Sequence, residues 1–198
     1  MTGPDAENLF NTRVLPAFQN EYPNMDDTIF FIDEDSEDID GSGGPGIVGL
    51  TKGARQQADF LVKFAIAHET AHGVVYLEHI KQGTTCPQAQ GSDRKKHEAW
   101  ADLIATKVLL TRVPDFWAVI AAQLDEISNI LGPATNSHPS GQTRVKLIRS
   151  FVTAYNQAGA AKGCFSRLFC CFSSPVSTTQ ARENAFKAAF KKIATAKL

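Results

Sequence analysis

Between Phe64 and His72 the chain runs without glycine or proline, and within that run stands His68-Glu69-Thr70-Ala71-His72. The run reads as a helix, and on a helix residues four apart lie one above the other on the same face. His68 and His72 therefore offer two imidazoles to one point, with Glu69 beside them. Two histidines so placed can bind zinc, and the adjacent carboxylate can draw a proton from water that the metal polarises. This segment constrains the rest of the chain, because a zinc site needs a third protein ligand from another element.

With 198 residues, 43% of them hydrophobic, the chain can bury the core of one globular domain. Twenty basic residues face 21 acidic ones, for a net charge of −1, so nothing global points to nucleic acid or a membrane surface. No apolar run approaches the roughly 20 residues that span a bilayer. Met1 to Asn11 is polar and includes Asp5 and Glu7, which does not read as a signal peptide. The cysteines are Cys86, Cys164, Cys170 and Cys171, the last two adjacent. Free thiols in a cytoplasmic protein are the simplest reading.

Leu9, Phe10, Val14 and Phe18 predict a short N-terminal helix despite Pro16, ended by Tyr22-Pro23. Thr28–Ile32 reads as a strand, and Ile47–Leu50 as a second strand paired with it. The acidic and glycine-rich stretch between them, 33–46, reads as a solvated mobile loop without EF-hand spacing. One long helix is expected from about Lys52 to Ile80, locally weakened by Gly73. A loop follows, then a helix from Lys96 to about Thr111. Pro114 starts another that runs to Leu131. Ser140 caps a helix through Tyr155, and an amphipathic helix over 178–196 closes the chain. The expected class is α+β, mostly helical, with a small N-terminal sheet of two or three short strands.

Candidates for the third ligand are Glu98, His97, Asp102, His79 and His138. Glu98 and Asp102 stand four apart and share a helix face. Glu98 can then reach the metal while Asp102 accepts the outer N–H of a ligand histidine, fixing its tautomer. The plainer reading of both acids is a solvated helix face. Against it, Asp102 sits in the apolar stretch Trp100-Ala101-Asp102-Leu103-Ile104, an odd place for an acid without a buried partner. His97 points about 100° away from Glu98, and His79 lies about 10 Å along the helix from His72. His138, in the loop Asn136-Ser137-His138-Pro139, could stabilise an oxyanion together with Arg144. An exposed loop histidine is its plainer reading.

His68-Glu69-Thr70-Ala71-His72 followed by Glu98-Ala99-Trp100-Ala101-Asp102 resembles the gluzincin metallopeptidases, with H-E-x-x-H and a downstream E-x-x-x-D. Ser137-His138-Pro139-Ser140-Gly141-Gln142-Thr143-Arg144 is similar to the H-P-x-x-x-x-R segment of the branch that includes the CAAX prenyl proteases and bacterial heat-shock membrane proteases. The resemblance covers about Thr28 to Phe151. It implies a zincin-like core over 1–160, with His68, His72 and Glu98 as ligands of one Zn2+. It implies Glu69 as general base and acid, and Asp102 as the holder of a ligand histidine. His138 and Arg144 would act near the substrate or support the site. It further implies that Ile47–Leu50 is an edge strand along which a peptide substrate pairs. Members of that branch are membrane-embedded, which this chain does not match, so a compact soluble peptidase core is implied and not prenyl-protein processing.

The remaining segment, 161–198, carries Cys164, Cys170 and Cys171 among phenylalanines, then the last helix, and is expected to pack on the same domain. S-acylation of those cysteines would give a peripheral membrane anchor, while inert buried thiols are the plainer reading. The function expected is a zinc-dependent metalloendopeptidase. The alternatives are a non-catalytic zinc-binding regulatory or interaction module of the same fold, or an effector protease acting in another cell.

Overall fold

Thr2 caps the first helix, its hydroxyl accepting from the Asp5 N–H while the Asp5 carboxylate accepts from the Thr2 N–H. Helix α1 (Gly3–Leu9) passes through a π-helical turn, Phe10–Val14, into α2 (Leu15–Glu21). Pro16 accounts for the wide turn. It has no N–H for the preceding turn and its ring crowds the carbonyl four residues back. The Leu15 N–H bonds to Phe10 O, five residues back, instead. The structure, a computed structural model, describes residues 1–90, 93–160 and 177–198.

Three strands follow: β1 (Ile29–Asp33), β2 (Gly41–Gly44) and β3 (Ile47–Thr51). Their order is β1-β3-β2, with β1 parallel to β3 and β2 antiparallel to it. The pairing of β1 with β3 is as the sequence predicts. Two expectations need correction. Part of the glycine-rich stretch is strand β2, turned back onto β3 through Pro45-Gly46, where Gly46 takes φ +76°. Because β2 fills that side, Ile47–Leu50 lies at the centre of the sheet and is not an edge strand. Val48 and Leu50 point into the core. Phe30 reaches the same core and stacks on Phe10 at 5.2 Å.

The expected long helix over 52–80 is broken twice, into α3 (Lys52–Arg55), α4 (Asp59–His72) and α5 (Val75–Lys81). Thr51 caps α3 through its hydroxyl. At the second break Gly73 lies against Gly44, where a Cβ would stand 2.9 Å from the Gly44 carbonyl oxygen. Beyond α6 (Asp93–Arg112), the expected helix from Pro114 is two, α7 (Pro114–Ala121) and α8 (Leu124–Leu131). Ile120, Leu124 and Ile127 stay in helical phase across that break, so periodicity does not reveal it. Ser140 caps α9 (Gly141–Ala160), its hydroxyl accepting from the Thr143 N–H.

Helix α6 is the centre of the molecule, buried on every side from Glu98 to Leu109. Helix α4 packs on it from one side and α9 from another. The last helix, α10 (Thr178–Thr195), covers α9 and α6, and the Trp100 indole N–H bonds to Phe190 O. Lys107, fully buried, pairs with Glu21 at 2.9 Å and Glu183 at 3.2 Å, tying α2 and α10 to α6. The fold is α+β and mostly helical, with one small three-stranded sheet. Among the described residues, no helix is long and apolar enough to cross a membrane.

Candidate metal centre

Helix α4 presents His68 and His72 one turn apart, their Nε2 atoms 3.2 Å from each other. Helix α6, packed across it, brings Glu98: Oε2 lies 3.1 Å from His68 Nε2, and Oε1 3.5 Å from His72 Nε2. All three side chains are largely buried, and one ligand atom from each lies within 4.8 Å of the others. A tetrahedral metal with bonds near 2.0–2.1 Å would hold neighbouring ligand atoms roughly 3.3 Å apart. The observed separations of 3.1, 3.2 and 3.5 Å bracket that edge length, so the three donors fit one cation. Two imidazole nitrogens and a carboxylate are donors that suit zinc and several other divalent ions.

Behind His68 stands a buried acid and its counter-ion. Asp102 Oδ1 lies 2.9 Å from His68 Nδ1. Helix α9 inserts Arg144, whose Nε and Nη2 each donate to Asp102 at 2.7 Å. Arg144 Nη2 also lies 3.2 Å from His68 Nδ1, because both nitrogens converge on the same Asp102 oxygen. With Nδ1–H directed to Asp102, His68 turns Nε2 towards the ligand cluster. Phe64, one turn earlier on α4, stacks on the His68 ring at 6.0 Å. Arg144 thus sits behind the ligands and orients Asp102. This is the supporting position that the resemblance allows for it, and its guanidinium also lines the cleft.

The charges are strongly coupled. Burial and the Arg144 charge oppose protonation of His68, but Asp102 and Glu98 outweigh them and lift it to about 10. Burial and then the positive His68 push His72 down to about 3. Burial works against ionised Glu98, yet His68, His72 and Arg144 hold it at about 2. Asp102 lies well below the usual carboxylate range for the same reason, burial being outweighed by Arg144 and His68. Glu69 moves the other way: burial, reinforced by Glu98 and Asp40 against the charges of His68 and Arg144, raises it to about 7. A carboxyl titrating near neutrality can both take and return a proton.

A cleft of about 290 Å³ opens beside the cluster, lined by His68, Glu69, Glu98, His138 and Arg144 and walled by Leu61, Phe64 and Leu131. His138 is half-exposed at its mouth, with Nε2 3.5 Å from Glu98 Oε2. The loop hydrogen bonds of His138 to Thr135 and Ser137 hold it there. Strand β2 crosses Glu69 directly. A Cβ on Gly41 would stand 2.7 Å from Glu69 Oε1, and one on Gly43 2.1 Å from the Glu69 carbonyl oxygen. Sequence reasoning did not assign these glycines to the site. The only signal was the run Gly41-Ser42-Gly43-Gly44, which reads as a loop by composition. The other candidates lie elsewhere: His97 Nε2 bonds to Pro87 O at 2.7 Å, and His79 is buried between Trp100 and Phe190. Cys86 is a half-buried free thiol, while Cys164, Cys170 and Cys171 lie outside the described residues. Comparison with family models, curated proteins and solved structures gave no match.

Proposed function

We propose that the chain is a zinc-dependent metallopeptidase with a gluzincin ligand set, His68, His72 and Glu98. The observation that carries this reading is the cluster of three donor atoms at metal-binding spacing with the Glu69 carboxyl in the same cleft. Bound zinc would act as a Lewis acid on the peptide carbonyl and lower the pKa of water at the site. Glu69 would then have the acid–base role: it would take the proton from the attacking water and pass it to the leaving amine, burial in the cleft favouring its protonated form. His138, at the mouth of the cleft, would donate a hydrogen bond to the developing oxyanion. Asp102 and Arg144 keep His68 in the ligating tautomer. With β3 central, an extended substrate would run along the outer side of β2, the strand that crosses Glu69.

The test is Glu69→Gln, assayed for metal content by elemental mass spectrometry and for cleavage of a quenched-fluorescent peptide library. Metal should stay at the wild-type level while turnover falls by about a hundredfold to ten-thousandfold. Cleavage at the wild-type rate in this variant removes Glu69 from the mechanism. Stoichiometric metal with no hydrolysis by the wild type favours a binding module instead.

A further inference from the structure

The outer face of the sheet is apolar and uncovered. Ile29, Phe31 and Ile47 are 66%, 39% and 41% exposed, and Ile29 and Ile47 stand directly opposite each other in the β1–β3 register. The Phe31 ring lies over Gly49, where a Cβ would come within 2.2 Å of it. Contiguous exposed apolar side chains of this kind mark interaction sites. Strand β1 is also paired on one side only. The Ile29 N–H bonds to Gly46 O, so in this parallel ladder the amides of Phe30 and Ile32 point to the open side. No other backbone bond among the described residues engages them.

The charge around this strand is one-sided. Residues 26–40 hold eight acidic side chains and no lysine, arginine or histidine, in a chain whose net charge is −1. Glu34 and Glu37 pair with Arg55 and Lys52. Asp26 and Asp27 before β1, and Asp33 and Asp35 at its end, are exposed and have no basic partner among the described residues. These charges argue against a second copy of the chain. Antiparallel addition would set Asp26 and Asp27 against Asp33 and Asp35, and parallel addition would set each group against itself, both repulsive.

We infer that β1 is a docking strand for an extended segment of a partner protein, apolar at alternate positions and flanked at both ends by lysine or arginine. Main-chain bonds to Phe30 and Ile32 supply the pairing, Ile29 and Phe31 contact the apolar side chains, and the flanking aspartates select the basic ends. The site lies on the opposite edge from β2 and the metal cleft, so it does not depend on the chain being a peptidase.

The test uses the full chain carrying Glu69→Gln, so that no probe is cut, and fluorescein-labelled peptides read by anisotropy. The first peptide alternates valine and threonine between two lysine pairs. A second replaces the lysines with glutamate, and a third replaces the valines with serine. The first should bind at least about tenfold more tightly than either of the others, and more weakly as ionic strength rises. Ile29→Thr with Phe31→Thr, and separately Asp33→Asn with Asp35→Asn, should each weaken it about tenfold, with the thermal unfolding midpoint within a few degrees of the parent. Equal binding of all three peptides, or binding unchanged in both double variants, overturns the inference. So does a dimer in sedimentation that the Ile29→Thr, Phe31→Thr variant dissolves.

Discussion

Asp102→Ala separates the two tasks assigned to that carboxylate. Asp102 is fully buried, receives two bonds of 2.7 Å from Arg144, and stands 2.9 Å from His68 Nδ1. Removing it strands a buried guanidinium whose next acidic neighbour, Glu98, is 4.0 Å away. Breaking a buried pair on one side costs about 3–5 kcal/mol, against a total stability of about 5–15 kcal/mol for a domain. The double variant Asp102→Ala, Arg144→Met behaves differently, because it also removes the stranded charge and sets an apolar chain beside the Phe64 ring, now 6.0 Å from the guanidinium. It leaves only the His68 N–H without a partner, a cost of about 1–3 kcal/mol. The two substitutions should therefore be non-additive by at least about 2 kcal/mol in urea unfolding with EDTA present. Metal affinity, measured by competition with a chromophoric chelator, should fall about 10- to 100-fold in Asp102→Ala and stay low in the double variant, because neither holds the His68 tautomer. Additive stabilities, or affinity restored in the double variant, would refute this account of Asp102 and Arg144.

Two further outcomes follow from the same geometry. Because His68 is raised from 6.5 to about 10, its contribution to the stability of EDTA-treated protein is full below about pH 6.5 and is lost as pH rises through 10. The decline in urea midpoint between pH 7 and 10 should disappear with metal bound, and calorimetry in buffers of different ionisation enthalpy should show about one proton released per metal at pH 8; no release would mean that His68 is already neutral. Gly41→Ala should keep metal but cut turnover about tenfold or more by displacing the Glu69 carboxylate, whereas Gly43→Ala, which meets backbone, should lower the melting temperature by several degrees; equal melting temperatures would show that β2 does not press on α4.

The helix that carries the histidines, the pairing of β1 with β3, the Ser140 cap and the start at Pro114 were legible because each is a local matter of spacing, β-branching or a missing N–H. The depth of Asp102 was legible too, since an acid inside an apolar helical stretch needs a partner. The identity of that partner was not. Arg144 is 42 residues away, and only the crossing of α9 over α6 decides that its guanidinium reaches Asp102. Gly73 was legible as a weak point, but that the helix ends there depends on the approach of Gly44, and the break near Ala122 was hidden because the apolar period runs through it unbroken.

Sequence alone determined the donors: two imidazoles on one face, a carboxylate between them, and an E-x-x-x-D pair on a later helix. The turn of an α-helix makes such placements intrinsic to the residues that form it. Tertiary structure decided what surrounds them. It put β2 and not β3 against Glu69, because strand order depends on which chain segments meet across the sheet, and composition had hidden β2 in a run of glycines. It also left one edge of that sheet apolar and ringed with acid, a property of packed neighbours that no window of residues contains.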